Sequence, residues 1–129
     1  MTYDWIDYLD ISKEMISTFA RRGSINPKRK ETMLRIAISR AYYAAFHKCR
    51  DYVLARGARL DEMGAHRDLI DKVDLFIASG EAPVSMELNR AFISRKKADY
   101  NDTFRDLEKE SQLTIKRVEK IISEILSRG

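Results

Sequence analysis

The sequence predicts an all-α protein, an antiparallel up-and-down bundle of four to five helices. Three observations predict it. Only five Gly and two Pro occur in 129 residues, so long helices with few turns are expected. Apolar residues recur at three- and four-residue spacing in every long segment, the period of one helix face. Runs of alternating β-branched residues, which mark half-buried strands, are absent. Hydrophobic residues make up 44% of the chain, enough for a core, and the 34% that are charged suit solvated outer faces.

The elements follow in order. A first helix is expected over 3–20, with Trp5, Tyr8, Leu9, Ser12, Met15, Ile16 and Phe19 on one inward stripe and Gly23 as its stop. Asn26-Pro27 pairs a capping side chain with a residue pre-organised for the first helical position. No breaker follows until Gly57, so a second helix is expected over 27–56. Its Lys- and Arg-rich first turns oppose the helix dipole, which predicts fraying there. Residues 58–64 form a connection. A third helix is expected over 65–79, with Leu69, Ile70, Val73, Phe76 and Ile77 inward and Gly80 ending it. The Ala82-Pro83 turn leads to a fourth helix from 84 or 85 to about 99, with Leu88, Ala91, Phe92 and Arg95 on one face. Asn101-Asp102-Thr103 breaks it. A fifth helix is expected over 104–127, using Leu107, Leu113 or Thr114, Val118, Ile121, Ile122, Ile125 and Leu126. Short links and amphipathic helices give an antiparallel bundle in one domain, 1–129.

Several function classes are excluded or weakened. No segment approaches the ~18 uninterrupted apolar residues of a membrane span, and the acidic first ten residues do not read as a secretory signal. A cytoplasmic protein without membrane contact is therefore expected. Two His and one Cys make no metal-ligand cluster, no glycine-rich phosphate loop occurs, and no cofactor is implied. Cys49, flanked by apolar positions on the second helix, reads as core rather than nucleophile. The net charge of +4 and pI of about 9.2 permit nucleic-acid contact. Basic residues cluster at Arg21, Arg22, Lys28, Arg29, Lys30 and Arg35, and again at Arg95, Lys96 and Lys97. The plain reading of both groups is a solvated surface.

On the second helix, Arg40, Tyr43, His47 and Asp51 fall on one stripe, because seven residues turn a helix through almost two circles. The opposite side, Ala37, Ile38, Ala41, Ala45, Cys49, Tyr52 and Val53, reads as core. The stripe has two readings. It is a polar seam in which Asp51 satisfies His47, or it is chemistry. Metal-free phosphodiester cleavage needs a base for the attacking 2′-hydroxyl and a cation for the charged phosphorane, and His and Arg supply both. His66 lies at a helix start, as a surface residue or as a second pocket group. On the fourth helix, Arg95 and Asp99 stand one turn apart and can pair, with Tyr100 pointing elsewhere.

Together, Ser39-Arg40-Ala41-Tyr42-Tyr43-Ala44-Ala45-Phe46-His47 and Arg95-Lys96-Lys97-Ala98-Asp99-Tyr100 resemble the HEPN domain superfamily. The similarity is to the branch with S-R-x-Y-Y-A-x-F-H followed by R-x-x-A-D-Y, and it spans nearly the whole chain. The resemblance implies a helical bundle that forms a homodimer. It also implies a metal-independent endoribonuclease acting as a toxin or defence component beside an MNT-type nucleotidyltransferase antitoxin. The family's catalytic signature is an Arg, commonly followed by a polar residue, with His after four to six intervening residues. Here Arg95 is followed after four residues by Tyr100, and Lys96 stands where Asn is common. On the second helix, Arg40 and His47, with six residues between them, match the Arg-to-His spacing. A phenol with a pKa of about 10 is a poor base at neutral pH. Either Arg40, His47 and Arg95 carry catalysis, with Tyr43, Asp51, His66, Lys96, Asp99 and Tyr100 in support, or the module binds RNA, a nucleotide or a nucleotidyltransferase partner without cutting. A bundle face serving dimerisation alone is the third reading.

Overall fold

The computed structural model describes residues 3–21, 26–77 and 82–128, with side chains of 19–21 set aside. The Phe19 side chain, Gly23, Ser79 and Gly80, each given a role above, lie outside the described residues, as do the side chain of Arg21 and all of Arg22.

Five α-helices and a short 3₁₀ turn make up the described structure: α1 Ile6–Arg21, α2 Pro27–Ala55, α3 Ala65–Lys72, the 3₁₀ turn Val73–Leu75, α4 Val84–Tyr100 and α5 Leu107–Ser127. No strand occurs among the described residues. Directions follow from who touches whom. Trp5 meets His47 and Tyr8 meets Arg40, so α1 runs antiparallel to α2. Arg35 reaches Ala98 while Phe92 meets Tyr42, so α4 also opposes α2. Lys30 bonds Glu108 at 3.0 Å, which sets α5 alongside α2 with the same sense. The successive long helices α1, α2, α4 and α5 thus alternate up and down. The small α3 and its 3₁₀ extension fill the link between α2 and α4.

The α2 helix is the central rod and packs against α1, α4 and α5. Its sequence explains this. Ala37, Ile38, Ala41, Ala45, Cys49 and Val53 are fully buried, and so are Tyr42 and Ala44 from another face. Small residues let neighbouring helices approach from more than one side. Asn26 starts the helix: its Oδ1 accepts the Lys28 N–H at 2.9 Å and Pro27 follows. The basic first turn is helical from Pro27, not frayed. Gly57 ends it in the left-handed region (φ 93°), with Ala58 N–H bonded to the Val53 carbonyl and Gly57 N–H to that of Leu54. This is a Schellman stop, which needs a residue without Cβ strain at that position.

The structure corrects several boundaries. Helix α1 starts at Ile6, not at residue 3, because Asp4 Oδ1 accepts the Ile6 N–H at 3.0 Å and acts as the cap. The third helix ends at Lys72 and tightens into the 3₁₀ turn, where Asp74 turns away to accept the Ser85 N–H at the start of α4. Helix α5 begins at Leu107, since Asp106 before it holds a positive φ of 54°. Leu126, expected inward, is 57% exposed at the far end of α5 beside a shallow cleft it shares with Leu9 and Ile122. Tyr52 is half-buried rather than core. Of the two α5 alternatives, Thr114 is the fully buried one.

Candidate functional site

The first motif, midway along α2, and the second motif, at the end of α4, meet on one wall. The joint is made by a residue counted above among the surface basics. The Arg35 guanidinium donates to the carbonyls of Ala98 (2.9 Å), Asn101 (2.7 Å) and Asp102 (3.2 Å). The Ala98 carbonyl lies in the last turn of α4 and those of Asn101 and Asp102 just follow it, where carbonyls lack helical partners and the helix dipole has its negative end. Arg35 therefore caps α4 and fixes its end against α2. One turn on, Asp99 Oδ2 accepts from Arg95 at 3.3 Å and from Ser39 Oγ at 3.5 Å. Ser39, Arg40, Ala98 and Asp99 then line one cleft with Thr32, Arg35 and Ile36, with a volume of about 270 Å³. Arg40 is exposed at its rim, its guanidinium 5.5 Å from the Tyr8 ring centre.

Behind this cleft lies an aromatic slab. Arg95, only 8% exposed, projects into it. Its guanidinium carbon lies 5.3 to 5.7 Å from the ring centres of Phe92, Tyr43 and Tyr42. Its Nε is buried without a partner. The ring quadrupoles attract the cation, and Asp99 pairs with it at 3.3 Å. Tyr42 is fully buried, and its hydroxyl lies 2.6 Å from His66 Nδ1. Burial raises the phenol's pKa and lowers the imidazole's, with Arg95 pushing the latter further down. Both groups are neutral at pH 7, so a single proton is shared across this contact, donated either by the phenol or by an Nδ1-protonated imidazole. His66 is thus a packed group: its ring stacks on Phe46 (4.2 Å) and on Phe92 (5.2 Å). It is brought there by the link before α3, where Asp68 accepts the Asp61 N–H at 2.9 Å and Lys72 donates to the Arg59 carbonyl.

His47 sits at the other edge of the slab, half-buried. Trp5 covers it face to face, with ring centres 3.6 Å apart and planes 16° from parallel. Its Nδ1 is buried and unpartnered. Burial, then the Arg50 charge, hold its pKa down to about 4, against a smaller opposing push from Asp51. The Asp51 carboxylate itself pairs with Arg50 at 3.3 Å. The expected Asp51–His47 bond is therefore replaced, because the adjacent guanidinium captures the acid while Trp5 covers the ring.

Of the three candidate catalytic residues, Arg95 and His47 both border Tyr43, at 5.4 Å and 6.0 Å. Of the two histidines, His66 is the one whose pKa the Arg95 charge lowers. Arg40 faces the Tyr8 side of the wall. Lys96 is exposed over the Phe92 ring at 4.8 Å. Tyr100 is 74% exposed and stands apart from the slab, as its helical position implied. Cys49 is buried, with its thiol pushed up to about 12, so it has no thiolate at neutral pH. No group of ligating residues fit for a metal occurs among the described residues, and no described helix is long and apolar enough to cross a membrane.

Sequence reasoning missed Arg35, Tyr42, Trp5 and Tyr8 as parts of the wall. Two of these left a signal: Arg35 precedes Ser39 by one turn, and Tyr42 precedes Phe46 by one turn. Comparison with protein-family models, curated proteins and solved structures returned no match.

Proposed function

We propose that this chain is a HEPN-like module that binds RNA at the wall where its two motifs meet, and that it does not cut the strand. The observation that carries the reading is the shared cleft: Ser39 and Arg40 from α2 face Asp99 from α4, with Tyr8 against Arg40 and Tyr43 against Arg95 nearby. Arg40 supplies an exposed cation for a phosphate, and the neighbouring rings supply stacking surfaces, the combination that holds single strands. The net charge of +4 favours a polyanion. The acid–base groups of cleavage are poorly placed by comparison. His47 is covered by Trp5 and holds a proton only below a pH of about 4. Tyr100, at the family's His position, stands out in solvent.

A metal-independent endoribonuclease toxin, dimeric and held in check by an MNT-type nucleotidyltransferase, is the second reading. It is favoured by Arg95 and His47 bordering the same Tyr43 ring. One experiment separates the two. Purified protein and its His47→Ala, Arg95→Ala and Arg40→Ala variants are incubated with labelled RNA in EDTA, and binding and cleavage are read together. Binding without cleavage is expected. Arg40→Ala should weaken it on every sequence and reduce the salt slope by about 1. Cleavage that His47→Ala and Arg95→Ala both abolish moves the protein to the second reading. Absence of both binding and cleavage overturns both.

A further inference from the structure

The Trp5–His47 contact asks for an explanation. Aromatic pairs ordinarily avoid the sandwich arrangement and settle offset or edge-on, as Trp5 does with Tyr3 (70°) and Tyr8 (79°). On His47 the indole lies nearly parallel at 3.6 Å. Trp5 is not a helix residue. It sits in the turn ahead of α1, held by local bonds: Asp4 Oδ1 to the Ile6 N–H (3.0 Å), the Asp4 carbonyl to the Asp7 N–H (3.2 Å), and its own carbonyl to the Tyr8 N–H (3.1 Å). Lifting the ring requires that turn to loosen or the side chain to rotate, and leaves the α2–α4–α5 packing intact. Such small openings lie at the low-energy end of a fold's motions. Beneath the indole is a flat, uncharged imidazole face, continuous with Tyr43, whose far side meets Arg95. Beside it, Arg40 lies against Tyr8, itself in edge contact with Trp5.

We infer that Trp5 is a displaceable lid occupying the stacking place of a nucleobase, and that an unpaired RNA base takes the indole's position on His47 when the strand binds. This rests on the RNA-binding reading and adds its gate. The indole is the chain's own stand-in for a base: a planar heterocycle on a ring face, next to a cation suited to the adjoining phosphate. The closed lid competes with RNA, so the apparent affinity is lowered by the fraction of molecules that are open.

Trp5 is the sole tryptophan, so its emission reports the lid directly. The wild-type protein is titrated with a short single-stranded oligoadenylate and, separately, with inorganic polyphosphate, which carries charge without bases. Affinities are also measured for Trp5→Ala. For Asp4→Ala, the ring is kept and the turn that holds it is loosened. Two results are expected together. Emission moves to the red with oligoadenylate and stays put with polyphosphate. Trp5→Ala binds oligoadenylate about tenfold more tightly, as for a lid open in roughly one molecule in ten. Should circular dichroism show that Trp5→Ala does not fold, Asp4→Ala must show the tightening. Oligoadenylate binding with unchanged emission, or without tightening in the folded variant, overturns the lid and leaves the RNA reading standing. No oligoadenylate binding by the wild type or either variant overturns both.

Discussion

Removing the imidazole at position 47 should make the protein more resistant to mild acid. In the native state burial and Arg50 hold His47 down to about 4, against 6.5 for a free imidazole. Between those values the unfolded chain binds a proton that the folded chain refuses. Stability therefore rises with pH through this window, and is lost as pH falls from about 6.5 toward 4. The gap corresponds to an upper bound of ~3.4 kcal/mol at 1.36 kcal/mol per pH unit. His47 is only half-buried, and solvent screening reduces this to about 1–2 kcal/mol. His66, also lowered by burial, pulls in the same direction, so a single substitution removes only one share. The assay is urea unfolding of wild type and His47→Gln at pH 7, 6, 5 and 4.5, with m-values compared so that a change in midpoint reads as stability. The variant loses the Trp5 stack and starts lower at pH 7. The difference between the two proteins should then narrow by about 1–2 kcal/mol by pH 4.5. Curves that run parallel across the range would refute the reasoning, as would an imidazole resonance of His47 titrating at or above 6.5.

Tyr42→Phe removes one oxygen from a fully buried ring and leaves His66 Nδ1 without its hydrogen-bond partner. A loss of about 1–2 kcal/mol is expected in urea unfolding, and a loss under about 0.5 kcal/mol would show that water replaces the phenol. Arg35→Ala deprives the end of α4 of its cap and should cost about 2 kcal/mol. Lysine at that position should recover less than half, because an ammonium cannot reproduce the planar fork, and full recovery would mean charge alone matters.

The fold was legible because its cues are local and agree with one another. The cap at Asn26, the proline after it and the glycine at 57 bound α2 within a residue of the expected ends. The 3.6-residue stripes named Leu88, Ala91 and Arg95 on α4 and Val118, Ile121, Ile122 and Ile125 on α5, and missed Val84, Ser94, Ala98, Ser111 and Ile115, which are mostly small or polar residues at the stripe edges. Errors fell where a side chain serves a different element from its own. Asp74 caps α4 and shortens the third helix, and Asp4 sets the start of α1 later than apolar spacing alone suggests. The site was legible in outline for the same reason: Arg40, Tyr43 and His47 share a stripe by helical arithmetic, and Arg95 pairs with Asp99 one turn on. Its interior was not. The contacts Trp5–His47, Tyr42–His66 and Arg35–Ala98 join residues 42, 24 and 63 positions apart. No periodicity within a single helix encodes such meetings.

That distinction bears on what the wall can do. A residue seen as exposed on its own helix can be covered on one face by another, as Trp5 covers His47, and a cation counted as surface can become a fastener, as Arg35 does. Arg95 is the instructive case. Its helical position says only that it lies on the inward face of α4; the structure adds three rings and a single carboxylate around it. A buried cation with one ion pair, and with its Nε unbonded, is an uneconomical way to hold a bundle together. A hydrophobic side chain of the same length packs there at lower desolvation cost. If Arg95 serves only packing, Arg95→Met should therefore match or exceed wild-type stability. If it also positions the wall for a polyanion, the same variant should keep its stability and bind RNA more weakly. Equal RNA affinity in a stable Arg95→Met protein would remove Arg95 from the site and leave Arg40 as the wall's cationic contact to the polyanion.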